Sequence, residues 1–143
     1  ATGIPLYYLD RLWHKPDQTT VTREAFDMRL HEILQKDRWI IDGNYQRTLE
    51  KRMEACDTVF LLDLPLETCL QGAKARVGAK REDMPWVETE LDEDFKQWIL
   101  DFPEHQLPQI YKLIETYRNC KNVVIFQSRK EADDYITALS RRD

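Results

Sequence analysis

Asp42 closes a short apolar run, Trp39-Ile40-Ile41, and is followed by Gly43, Asn44, Tyr45 and then Arg47. In open parallel sheets, ligands bind at the strands' carboxyl ends, which is where such an acid would lie. The same Asp-Gly pair also serves hairpin turns, so on the residues alone the two readings stand level. Asp10 closes a second apolar run, Ile4 to Leu9, in the same manner. Arg47 falls in the first turn of the helix expected after Asp42, where a cation opposes the helix dipole unless an anion lies nearby. A phosphate-facing arginine has that placement. Lys74, Arg76, Lys80 and Arg81 put four cations into eight positions of an otherwise acidic chain. They read either as a locally built anion site or as the solvated basic end of a helix, whose negative dipole they complement. Asp63 interrupts its apolar run one residue early and reads as a hydrogen-bond partner for a neighbouring loop. His14 has no Cys or second His at ligand spacing and reads as a surface residue rather than a metal ligand.

These residues need elements to hold them. Trp39 to Ile41 is too short for a buried helix and rich in aromatic and β-branched character, so it reads as a strand covered on both faces. Ile4 to Leu9 reads as a strand with Pro5 tolerated near its start. Thr58 to Leu64 carries the strongest strand signal, closed by Pro65, and Asn122 to Gln127 forms a last strand. Thr22 caps a helix striped by Phe26, Leu30, Ile33 and Leu34 and running to about Lys36. Tyr45 to Cys56 carries Leu49, Met53 and Cys56 on one edge. Leu66, Cys69, Leu70, Ala73 and Val77 mark a helix whose far part holds the basic cluster. Thr89 with Asp92, and Ser128 with Glu131, fit the capping-box pattern. Pro103 is expected to end the helix after Asp92, and Leu107 to Tyr117 forms the next. Leu12 to Val21 reads as a loop, and Lys80 to Glu88 as a mobile loop with Trp86 exposed. Strands alternating with helices give the fold class α/β: a parallel sheet with right-handed crossovers and helices on both faces.

At 143 residues and 42% hydrophobic content, the chain suits a single domain, residues 1–143. A net charge of −5 gives no global attraction to nucleic acid or to an anionic membrane surface. Direct nucleic-acid binding and membrane partnership are therefore disfavoured. No stretch has the apolar length needed to span a bilayer. Cys56, Cys69 and Cys120 are widely spaced in or beside apolar segments, as buried thiols of a reducing compartment are, so a cytoplasmic protein is expected.

The order of motifs resembles a known family. A strand ending in Asp42-Gly43 before Arg47-Thr48, a strand ending Leu62-Asp63-Leu64-Pro65, and a basic helix entering an arginine-bearing loop together resemble the adenylate-kinase-like branch of the P-loop kinases. YYLDRLWHKP, WIIDGNYQRT, Arg81 to Met84 (REDM) and the late Gln127-Ser128-Arg129 are similar, in order, to the bacterial family of DNA topology modulation proteins. The likeness covers nearly the whole chain. It departs at two points. DGNYQRT is one residue longer than the DGFPRT of adenylate kinase, so the motif does not fix the register of Arg47. The glycine-rich loop GxxxxGK[ST] is absent, the only glycines being Gly3, Gly43, Gly72 and Gly78.

The resemblance implies phosphoryl transfer with ATP and magnesium (Mg2+) as cofactors, to a small acceptor such as a nucleoside or nucleotide. It implies that Asp42 sits near the magnesium through water, and that Asp10 faces the acceptor hydroxyl. Arg47, with Asn44 beside it, would hold the acceptor side. Arg76 and Arg81 would close over the donor phosphates from a lid-like segment of about residues 76–90. Arg129 would border the adenine. Asp10, Trp13 and Tyr45 could line the acceptor pocket. It further implies a preceding strand, phosphate loop and helix of roughly 20 to 30 residues, one such unit in length. That strand would lie between those ending at Asp42 and near Leu64, and without it the chain is expected to be inactive and unstable as a monomer. The alternative is a non-catalytic nucleotide-binding regulatory or DNA-topology-associated protein. A homodimer is compatible with either.

Overall fold

The structure, a computed structural model, describes residues 2–142 and is of mixed α/β class. Their contacts gather in two compact units.

The first unit comprises residues 2–49 and 76–90. It holds strand β1 (Leu6–Tyr8), helix α1 (Leu9–Trp13), helix α2 (Arg23–Leu34), strand β2 (Ile40–Asp42) and the start of helix α3 (Gln46–Ala55). β1 and β2 pair in parallel, with Tyr8 opposite Asp42. The chain leaves β1 one residue sooner than expected and turns into the short α1, because Leu9 is drawn wholly into the core. Leu9, Phe26 and Leu30 form that core, with Leu12, Trp13, Val21, Leu34, Ile41 and Tyr45 packed around them. The expected α2 stripe is the buried face, and Thr22 caps the helix by accepting from the Ala25 amide at 3.1 Å. β2 is not covered on both faces, since Ile40 is exposed.

The second unit comprises residues 50–75 and 91–142 of those described. Strand β3 (Thr58–Leu62) pairs in parallel with strand β4 (Asn122–Phe126), Leu62 opposite Phe126. Helix α4 (Leu66–Ala75), helix α5 (Glu93–His105) and helix α6 (Leu107–Tyr117) pack in succession, and helix α7 (Arg129–Ser140) lies against β4. Buried Met53, Leu61, Ala73, Ile99, Ile110, Ile114 and Phe126 form its interior. Asp92 caps α5 by accepting from the amides of Asp94 and Phe95. Ser128 caps α7, and Glu131 reaches back to the Gln127 amide, so the capping box closes one residue early.

Several expectations change here. β3 is not buried on both faces, as Phe60 and Leu62 are 53% and 58% exposed. α5 runs through Pro103 to His105, because a proline in the last turn forfeits little of the ladder and the Gln106 amide still reaches the Phe102 carbonyl. α4 stops at Ala75, before most of the basic cluster. Gly78 adopts a left-handed φ of 80° there and its amide turns to the Glu88 carbonyl. The sheet is likewise two parallel pairs rather than one. β2 and β3 share no ladder among the described residues.

Candidate functional site

The parallel pair β1 and β2 delivers both predicted acids to the first unit, at the same ends of the two strands. Asp42 is the last residue of β2 and is exposed. Gly43 follows at φ 147°, and a Cβ there would lie 2.9 Å from the Leu9 Cβ. Glycine is thus required at position 43 by close passage over the core, and Asp42-Gly43 leads from β2 into α3 rather than into a paired strand. Asp10 lies in the first turn of α1, two residues past the strand end where it was expected.

Tyr45 fixes Asp10. Its hydroxyl donates to Asp10 Oδ1 at 2.7 Å, while its ring packs on Phe26 and, edge-on, on Trp13. Burial first, and the Asp10 carboxylate second, raise the Tyr45 hydroxyl well above its ordinary range. The sequence put Tyr45 beside Asp10 without showing that the two bond.

Arg81 stands within charge range of Asp10. Its guanidinium grips both oxygens of Asp83 at 2.9 Å, with Glu88 at 3.8 Å, and the Asp83 bond is the main cause of its raised pKa. Burial pushes the Asp83 carboxyl up, but Arg81 outweighs it by hydrogen bond and charge, aided by the charge of Arg76, and holds it below the usual range. Arg76 itself is exposed beyond the end of α4.

The segment expected to be a mobile loop is tied at many points. Arg11 donates to the main-chain carbonyls of Arg81, Glu82 and Met84, Tyr8 donates to Glu82, and Met84 is buried. Trp86 is half-buried with His14 edge-on at 5.0 Å, which also places His14 in a contact rather than on open surface. Arg11 was missed in the sequence because its partners are carbonyls of irregular backbone, which leave no residue-type signal.

Arg47 is exposed on α3 and does have an anion nearby, but a protein one. Its fork bonds both oxygens of Asp27 on α2, at 2.8 and 3.0 Å, and that bond raises its pKa. Asn44 is exposed between β2 and α3. Arg129 belongs to the second unit, where its guanidinium lies 2.6 Å from where a Cβ on Gly72 of α4 would sit. Asp63, also in that unit, accepts from the Tyr111 hydroxyl on α6, a helix rather than a loop. A cleft of about 350 Å³ lined by Arg118, Lys121, Val123 and Ile125 contains none of the predicted residues, and its cations engage Glu115 and the Glu54 carbonyl.

Magnesium keeps several waters and takes few carboxylates. The exposed Asp42 suits such a water-mediated contact, and no cluster of metal-ligating side chains occurs among the described residues. A triphosphate fits less well, since none of the four glycines lies in a phosphate-cradling loop ahead of a Lys-Ser or Lys-Thr. No helix among the described residues is long and apolar enough to cross a membrane. No protein-family model, no curated protein and no solved structure matches the chain.

Proposed function

We propose that this chain carries the acceptor side of a small-molecule kinase, which transfers a phosphoryl group from ATP, with magnesium, to a nucleoside or nucleotide. The observation that carries the reading is the gathering of Asp10, Tyr45, Asp42 and Arg81 in one compact unit, around the carboxyl ends of a parallel strand pair. Phosphoryl transfer asks a protein mainly to position two substrates and to stabilise charge on the moving group. Asp10, held by Tyr45, orients the acceptor hydroxyl. Asp42 holds a water of the metal, and Arg81 with Arg76 supplies positive charge. Bound ATP and magnesium supply the transferred group and its charge neutralisation. The motif likeness to P-loop kinases and DNA topology modulation proteins supports the same reading, and three free cysteines suit a reducing, cytoplasmic setting.

One observation favours the non-catalytic alternative: the forks of Arg47 and Arg81 are already filled by Asp27 and Asp83. A regulatory nucleotide-binding protein would need no arginine to release its carboxylate during a reaction. Turnover of ATP with a nucleoside and nucleotide panel, measured on the full-length protein, separates the two. Asp42→Asn is expected to abolish magnesium-dependent transfer with the fold intact, and Arg81→Ala to lower kcat more than it weakens acceptor binding. Wild-type turnover in Asp42→Asn removes that residue from the site. Nucleotide binding without any transfer by the wild type selects the regulatory reading.

A further inference from the structure

Resting on the phosphoryl-transfer reading, we propose that the acceptor is an uncharged hydroxyl compound, a nucleoside rather than a nucleoside monophosphate. A monophosphate brings close to two negative charges and is best held by guanidinium forks. Three forks of this unit are committed, and Arg76, which acts by charge on Asp83, belongs to the donor side of the proposed reaction. Arg47 holds both oxygens of Asp27, Arg81 holds both oxygens of Asp83, and Arg11 is spent on three main-chain carbonyls. The Arg47 pair is exposed and opens at little cost. Whichever way that arginine turns, the Asp10 and Asp42 carboxylates stay at the strand ends, and Glu82, bonded to Tyr8 at 3.3 Å, adds another.

What the site offers is a fixed hydrogen-bond acceptor. Tyr45, braced by Trp13 and Phe26, holds Asp10 Oδ1, and no described residue donates to Oδ2. That oxygen accepts a bond from a hydroxyl and repels a phosphate. The half-buried rings of Trp13 and Tyr45, with centroids 6.5 Å apart, add an apolar flank beside it. A sugar hydroxyl next to a flat base meets both features.

The test is an NMR titration of the full-length protein with the common nucleosides, their 5′-monophosphates and inorganic phosphate, following the Trp13 and Tyr45 ring signals and the arginine Nε–H signals. A nucleoside is expected to act at about tenfold lower concentration than its monophosphate. The Arg47 Nε–H signal should stay still under inorganic phosphate. Asp10→Asn should narrow the gap between nucleoside and monophosphate. Asp27→Asn, which removes the charge holding the Arg47 fork, should make that arginine respond to phosphate. A monophosphate that binds as tightly as its nucleoside, or tighter, overturns the proposal, and so does the failure of every nucleoside to perturb the rings. Magnesium-ATP that perturbs nothing defeats the phosphoryl-transfer reading instead, while a nucleoside preference would still stand, so the two failures are separable.

Discussion

Two carboxylate–tyrosine pairs stand just past the ends of parallel strands in this chain, and their surroundings differ. Asp63 follows β3, its amide extends the ladder to the Phe126 carbonyl, and its carboxylate takes the Tyr111 hydroxyl. That pair joins a strand end to α6 and needs nothing further. Asp10 takes the Tyr45 hydroxyl in the same way, but its neighbours are a guanidinium, further carboxylates and a cluster of aromatic rings. An acid at a strand's carboxyl end is therefore no sign of function by itself. The distinction lies in what else the fold brings to the carboxylate.

The largest expected effects test whether the two units can be compared as separate bodies. Leu9 and Ile114 are both fully buried, one in each unit. Truncating either to alanine should cost about 2 to 5 kcal/mol in urea unfolding. Residue-resolved hydrogen exchange should show Leu9→Ala loosening residues 2–49 and 76–90 most, and Ile114→Ala the remainder. Uniform loosening by either variant would mean one cooperative body and would erase the comparison.

Arg11→Ala comes next. It removes a donor shared by three carbonyls, of which those of Arg81 and Glu82 are exposed and can turn to water while that of Met84 is part-buried, at a cost of about 1 kcal/mol for that segment. Proteolysis between Arg81 and Glu90 should speed up, with α6 and α7 unaffected. Unchanged cleavage would show that Arg81, Asp83 and Tyr8 hold the segment without Arg11.

Local signals were legible in the sequence wherever one residue type determines them. The Phe26, Leu30 and Ile33 stripe and the caps at Thr22 and Ser128 stand as read, since periodicity and hydroxyl capping are short-range effects. The four strand positions also hold to within a few residues. Partners were not legible. Nothing in Arg47 points to Asp27, twenty positions away on another helix, and nothing in Asp63 points to Tyr111. The role of the Arg81 to Met84 segment was hidden for a related reason. Its arginine pairs within its own turn and its methionine is buried, so residues that suggest a lid also stitch down a loop. The apolar run of β3 predicted full burial, yet Phe60 and Leu62 stay exposed, because a run of that kind reports what a strand could bury and not what lies over it.

A smaller effect separates the tyrosine pairs by pH. The Asp63 hydrogen bond first, and burial second, raise the Tyr111 hydroxyl from 10.0 to about 12. The folded state then keeps a proton that the unfolded state loses. The stability this contributes is fully present below about pH 10, declines as the pH rises, and is gone above about pH 12. Its slope stays below the ceiling of roughly 1.4 kcal/mol per pH unit, because solvent reaches the pair. Tyr111→Phe should flatten that decline in urea unfolding and leave nucleoside binding unchanged, whereas Tyr45→Phe should weaken nucleoside binding. If Tyr111→Phe disturbed binding equally, the two pairs would not differ in kind.

The smallest effect concerns Arg47 and Asp27, whose side chains are each 45% exposed. Both bonds of the fork are well formed, and bidentate geometry favours the pair. Solvent screening and the entropy of fixing two side chains oppose it, so a double-mutant cycle with Arg47→Ala and Asp27→Ala should give a coupling of about 0.2 to 1 kcal/mol. The coupling should shrink as salt is raised, since exposed charges are screened. A value in that range means that the pair alone does not keep phosphate off Arg47, so selectivity against phosphorylated acceptors would rest on Asp10 and Asp42. A coupling of several kcal/mol, insensitive to salt, would reverse that assignment. Arg47 would then be locked to α2 as firmly as Arg11 is to its carbonyls, and excluding phosphate would become a property of the whole unit.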